Sequence, residues 1–182
     1  MTFVASIKAV IVWSTLITHI LLAGLLLLWI VSLWKPRLKR AKKQVFAWIY
    51  THALWIGLFF VTAATAGSLF YSEIAKYTPC DLCWWQRIFM YPQVLIFGLA
   101  LKKKLNVWPI VRWMSIIGGL IALVHYATQW QSNATSCIAG DPACLAKYVF
   151  QFGYITIPLM ALTVFGIVLY LSFRRSAQRK IS

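Results

Sequence analysis

Long apolar runs alternate with short polar segments along the chain, and the lengths of the runs predict its architecture. Ala9 to Trp34 is 26 residues without a charge, above the roughly 20 that a helix needs to cross the hydrocarbon of a bilayer. Gln44 to Ser72 is a second uncharged run, rich in Trp and Phe and long enough to cross with tilt. A third span needs Leu82 to Leu101, because the charge-free part, Ile88 to Leu101, is too short alone. Arg87 therefore belongs to that span, near one end. Trp113 to Ser136 gives a fourth span, with Gly118-Gly119 for close helix packing. Val149 to Phe173 gives a fifth, interrupted by Gly153 and Pro158. The pattern predicts an all-α membrane protein. It predicts five spans in one membrane domain. The first run is too long for the apolar region of a cleaved signal, and its basic cluster follows it instead of preceding it, so it reads as a retained anchor.

Composition agrees. With 62% hydrophobic residues, 12% charged residues and ten Trp, the chain cannot hide its apolar surface in one soluble core. A net charge of +15 would ordinarily point to nucleic acid, but the cations collect between the apolar runs. Lys35 to Lys43 carries six in nine residues; Lys102-Lys103-Lys104 with Arg112, and Arg174, Arg175, Arg179 and Lys180, make two more clusters. Membrane lipid is the expected partner, and nucleic acid is not. The positive-inside tendency places the clusters in the cytoplasm. That puts the N-terminus outside and the C-terminus inside, with Glu73, Asp81, Asp141 and all four cysteines on the outer side.

Chemistry enters with the cysteines. Thr78-Pro79-Cys80-Asp81 has the form of a helix start at Pro79, with a hydroxyl cap and a carboxylate in the first turn. Cys80 and Cys83 would then share a face beside the positive end of the helix dipole, which favours a thiolate. Arg87 lies at i+4 from Cys83. An arginine there either snorkels to the headgroups or serves a redox site. His125 and Gln129 also share a face, and an ionisable group in a span is a functional candidate by default. Asp141-Pro142-Ala143-Cys144 resembles another helix start, with Cys137 in the flexible stretch before it. Asn133-Ala134-Thr135 fits a glycosylation pattern too short to carry weight.

Four outer cysteines in two close pairs admit three readings: structural staples, a four-cysteine zinc site, or a relay passing electrons between pairs. Haem attachment is disfavoured because Trp84 follows Cys83. A relay needs an electron sink. With no nucleotide motif in the chain, the sink is a membrane quinone, menaquinone or ubiquinone. Arg87, His125 and Gln129 could hydrogen-bond a quinone oxygen, and Trp84 and Trp85 could form an aromatic wall, although tryptophan is common at membrane interfaces. The relay reading assigns no metal.

Ser72-Glu73-Ile74 followed by Pro79-Cys80-Asp81-Leu82-Cys83-Trp84-Trp85-Gln86-Arg87-Ile88-Phe89-Met90-Tyr91-Pro92 resembles the DsbB family of disulfide-forming membrane proteins, within it the Gram-positive BdbC branch. His125-Tyr126 with Gln129, the closely spaced Cys137 and Cys144, and Phe152 to Pro158 match that branch too. The similarity covers roughly Trp48 to Phe173. It implies a thiol–quinone oxidoreductase in which Cys80 and Cys83 face the quinone, Cys83 nearer the ring, with Arg87 beside a quinone oxygen. Cys137 and Cys144 would accept electrons from a secreted DsbA-like (BdbD-like) thioredoxin-fold oxidase. The resemblance also implies a DsbB-like four-helix transmembrane bundle over 44–182, and the extra N-terminal transmembrane helix and basic cytoplasmic loop over 1–43 depart from the family pattern. Two other functions fit the residues: a quinone or epoxide reductase running in the opposite direction, and a non-enzymatic four-cysteine metal-binding membrane protein.

Overall fold

The computed structural model describes residues 2–130 and 144–179. Six α-helices account for most of them: α1 (Thr2–Trp34), α2 (Pro36–Thr51), α3 (Ala53–Leu69), α4 (Asp81–Lys103), α5 (Trp108–Thr128) and α6 (Ile157–Arg179). Among the described residues there is no strand, only an isolated bridge between Gln151 and Ile155. The all-α membrane fold is as the sequence predicts.

The chain forms two compact units, Met1–Ala53 and Leu54–Ser182. The first holds α1 and α2. The basic segment is not a loop. Pro36 opens α2 after an extended Lys35, and Lys, Arg, Ala and Gln are all good helix formers with no glycine among them. The second apolar run is consequently shared, with 44–51 ending α2 and the rest forming α3. A π-helical turn, Phe70–Ile74, extends α3.

The second unit holds α3 to α6. Among the described residues, three helices have the length and hydropathy to cross a bilayer: Phe3–Trp34, Ala53–Ile74 and Trp108–Thr128; Ile157–Phe173 is a shorter apolar helix. The 23 residues of α4 reach about 34 Å at a helical rise of about 1.5 Å per residue, although both ends and Arg87 carry charge. The outward surface is apolar, with Trp55, Phe59, Leu95 and Trp113 all exposed. Apolar side chains in such numbers on the outside suit a lipid solvent.

Three boundaries move from their expected places. The fourth span begins earlier, at Trp108, because Pro109 sits in its first turn and needs no N–H partner there. It also ends earlier, at Thr128. The last span begins at Ile157 instead of Val149, since Phe152 and Gly153 take positive φ (53° and 76°) in a tight turn closed by Gln151 and Ile155. Two left-handed residues cannot continue a right-handed helix.

Close packing in the bundle rests on glycine facing phenylalanine. A Cβ on Gly118 of α5 would lie 2.4 Å from the Phe165 ring of α6, and one on Gly57 of α3 would lie 2.8 Å from the Phe97 ring of α4. Both rings are buried, so neither can swing aside freely. Gly118→Ala should destabilise the detergent-solubilised protein by about 1–3 kcal/mol through overpacking. A thermal melt unchanged from wild type would show that Phe165 yields.

Candidate active site

The site forms where the start of α4, the end of α5 and the turn after residue 143 meet. The helix carrying the first cysteine pair begins at Asp81, not at Pro79: Cys80 is its cap residue, extended at φ −79° and ψ 171°, and its carbonyl accepts the first helical bond, from Trp84 N–H at 3.1 Å. Asp81 then supplies a carboxylate to the first turn, where the dipole favours it.

Cys80, Cys83 and Cys144 are thiols. The sulfurs of Cys80 and Cys83 are 3.0 Å apart. Cys80 is buried, Cys83 partly exposed, and Cys144 buried in one cluster with Cys80 and Leu82; Cys83, Ile121 and Leu145 pack around it. His125 Nε2 lies 3.7 Å from Cys80 Sγ, while Gln86 Nε2 is 2.9 Å from His125 Nδ1. With the Gln86 amide donating to Nδ1, the imidazole proton belongs on Nε2, aimed at the Cys80 sulfur. The hydrogen bond with Cys83 and then burial push the Cys80 thiol up to about 12, against a lowering by His125. That is the direction expected when Cys80 donates its S–H to Cys83.

Arg87 faces the third helix. Its Nε donates to Ser68 Oγ at 3.1 Å and its Nη2 to Ser68 O at 3.2 Å; Tyr91 OH also donates to Ser68 Oγ. The guanidinium carbon lies 5.0 Å from the Trp84 ring centroid. The arginine is therefore satisfied within the protein, close enough to Cys83 for its charge to act on that sulfur.

Cys144 reaches the cluster because its turn is tied down at several points. Tyr148 stacks on Tyr77 at 4.7 Å and Tyr77 on Tyr71 at 5.8 Å, which pins the turn to the segment leading into Cys80. Gln129 Nε2 donates to Ala146 O at 3.4 Å. Lys147 sits over Trp130 and Phe150 at 4.5 and 5.0 Å.

Of the residues singled out from the sequence, Cys80, Cys83, His125 and Cys144 come together. Trp84 directly follows Cys83, and Arg87 lies one turn further along α4. Gln129 holds the segment after Cys144. Cys137, Asn133 and the helix start proposed at Asp141 lie outside the described residues. Sequence reasoning missed Gln86, Ser68 and Tyr91. Gln86 had a signal, an uncharged amide at i+3 from Cys83 in an apolar helix; Ser68 had none.

A family model for disulfide bond formation protein DsbB matches residues 50–173. The chain belongs to the DsbB family. It is 41% identical over 125 residues to disulfide bond formation protein C of Bacillus subtilis (strain 168), covering 66% of this chain and 88% of that one. It is 44% identical over 134 residues to a probable disulfide formation protein of Oceanobacillus iheyensis, covering 70% and 90%. It is 43% identical over 123 residues to the SPbeta prophage-derived disulfide bond formation protein B of B. subtilis, covering 65% and 82%. No solved structure matches the chain. The protein is a multi-pass membrane enzyme, a disulfide-forming oxidoreductase of the DsbB family.

If the aromatic stack delivers Cys144 to Cys80, the two should cross-link. In a Cys83→Ala/Cys137→Ala protein, mild oxidation should yield an intramolecular Cys80–Cys144 disulfide. Tyr148→Ala should lower that yield severalfold, since an aromatic pair contributes about 0.5–1.5 kcal/mol. Equal yields with and without the Tyr148 ring would show that the stack does not place Cys144.

Proposed function

We propose that the protein reoxidises an extracytoplasmic DsbA-like (BdbD-like) thiol oxidase and passes the electrons to a membrane quinone. The observation that carries this reading is Cys144 buried in one cluster with the Cys80–Cys83 pair, which leaves electrons a path between the two pairs. Five spans are proposed, with the N-terminus outside, the C-terminus cytoplasmic and the cysteines on the outer face. The domain division proposed is an added N-terminal helix ahead of the DsbB-like four-helix domain.

Each exchange is a thiolate attack on a disulfide. The partner's thiolate attacks Cys137 of a Cys137–Cys144 disulfide and expels Cys144 as thiolate; the partner's second thiolate then attacks its own sulfur in that mixed disulfide, closes the partner's disulfide and releases Cys137 as thiolate. Cys144 attacks Cys80 of a Cys80–Cys83 disulfide and expels Cys83. Cys137 attacks Cys144, which re-forms the outer disulfide and releases Cys80, with the proton for that sulfur held at His125 Nε2. The inner pair now carries the partner's two electrons. A quinone, when bound, accepts two electrons and two protons.

The residues around Cys83 suit such a group. Cys83 is partly exposed, Trp84, Trp85 and Ile88 are exposed beside it, and Arg87 brings a guanidinium to the same stretch of α4. Arg87 would bind a quinone oxygen, and Trp84 would cover the ring. His125 and Gln129, assigned to the quinone from sequence, are better placed for Cys80 and for the turn after Cys144.

The test is anaerobic reduction of a soluble quinone by purified protein and a reduced thioredoxin-fold substrate. Cys80→Ser, Cys83→Ser, Cys137→Ser and Cys144→Ser should each abolish turnover with the protein partner. Full turnover in any of them would end the relay. Arg87→Lys keeps the charge but loses the planar fork, so the quinone KM should rise about tenfold with insertion intact; an unchanged KM would leave Arg87 a packing role. A Cys144→Ala protein should trap the partner on Cys137, and trapping through Cys144 in Cys137→Ala would reverse the order of attack.

A further inference from the structure

Among the described residues, Cys80, Cys83 and His125 bring their three ligand atoms within 4.8 Å of one another. We propose that these residues form a zinc site that exists only while the inner cysteine pair is reduced. Tetrahedral zinc with bonds of about 2.3 Å to sulfur and 2.0–2.1 Å to nitrogen holds its ligand atoms roughly 3.5–3.8 Å apart. The Cys80–His125 separation of 3.7 Å already meets this, and the 3.0 Å between the sulfurs needs only a small opening. Two thiolates and a neutral imidazole give a net charge of zero with Zn²⁺, which suits a buried location. No electron moves: two S–H bonds break, two Zn–S bonds form and two protons leave.

Gln86 completes the arrangement. A histidine that ligates through Nε2 donates its Nδ1–H to an acceptor, and Gln86 already faces Nδ1 at 2.9 Å. An amide presents either end by rotating about its last bond. Its NH₂ faces Nδ1 when Nε2 carries the proton, and its carbonyl faces Nδ1–H when Nε2 takes a metal. A carboxylate there could only accept.

This set differs from the four-cysteine zinc site that the spacing allowed, since it takes one pair and a histidine. It rests on the dithiol that the relay passes through, not on the identity of the electron acceptor. Zinc on the reduced pair would hold both sulfurs and arrest the protein in that state.

The experiment uses the full chain in detergent, reduced anaerobically and freed of reductant, titrated with Zn²⁺ against a chromophoric chelator. One zinc per chain should bind, two protons should be released, and Cys80 and Cys83 should be protected from alkylation. The oxidised protein should bind none at this affinity, a comparison that needs no variant to fold. His125→Ala and Gln86→Leu should each weaken binding about 10–100-fold. Cys137→Ser should bind as the wild type. Equal binding by oxidised and reduced protein, or wild-type affinity in His125→Ala, would overturn the proposal, and loss of binding in Cys137→Ser would restore the four-cysteine site. Quinone reduction is not read at any step, so failure here and failure of the quinone reading are separate results.

Discussion

The burial of the Cys80 sulfur is the constraint on which the rest of the site depends. The sulfur sits at a cap position, where the backbone turns from extended to helical, and three segments close over it. Burial alone would make it inert. Each neighbour supplies something that solvent no longer can: Cys83 a hydrogen-bond partner, His125 a place for the proton, Cys144 a second sulfur in the same cluster. The surrounding polar contacts, Gln86 on His125, Gln129 on Ala146 and the Tyr71–Tyr77–Tyr148 stack, hold those neighbours in place.

Lipid outside the bundle sets the second requirement, that polar groups in the spans find partners within the protein. Two arginines meet it the same way. Arg87 binds the hydroxyl and carbonyl of Ser68, and Arg112 binds the hydroxyl and carbonyl of Ser172 at 3.3 and 2.8 Å. Each also lies against an aromatic ring, Trp84 and Phe173. The choice for Arg87 between snorkelling and function was incomplete: a third option, docking onto the neighbouring helix, places the guanidinium beside Cys83 without leaving it to the headgroups.

Much of this was legible in the sequence because membrane spans and cysteine spacing are local signals. Run length gave the helices, and Cys80-x-x-Cys83 with Arg87 gave the chemistry. What failed also had local causes. Lys35 to Lys43 reads as a polar loop only if charge is taken to mean loop; nothing in it breaks a helix. Thr78-Pro79 imitates a helix start, yet the chain stays extended through Cys80. The last span was expected to start at Val149 in spite of Gly153 because Phe152 is apolar, and apolarity does not reveal a left-handed backbone. Ser68 and Tyr91 were out of reach for another reason, since an inter-helix contact leaves no trace in one helix's own pattern. His125 was singled out without its sulfur neighbour, because sequence places it on a face of α5 and cannot say which sulfur that face meets.

The unequal exposure of the two inner sulfurs follows from their places on one helical turn, and it divides their labour. Cys80, at the cap, points into the protein toward His125 and the Cys144 turn. Cys83, at the third helical position, is partly exposed beside Trp84 and Ile88. A disulfide between such a pair is an asymmetric bond, one end presented to a thiol from within and the other to whatever approaches through the apolar surface. On the proposed relay, attack from Cys144 on the buried end would set free the sulfur that faces outward, nearest to Arg87. Direction would then be built into the first turn of α4.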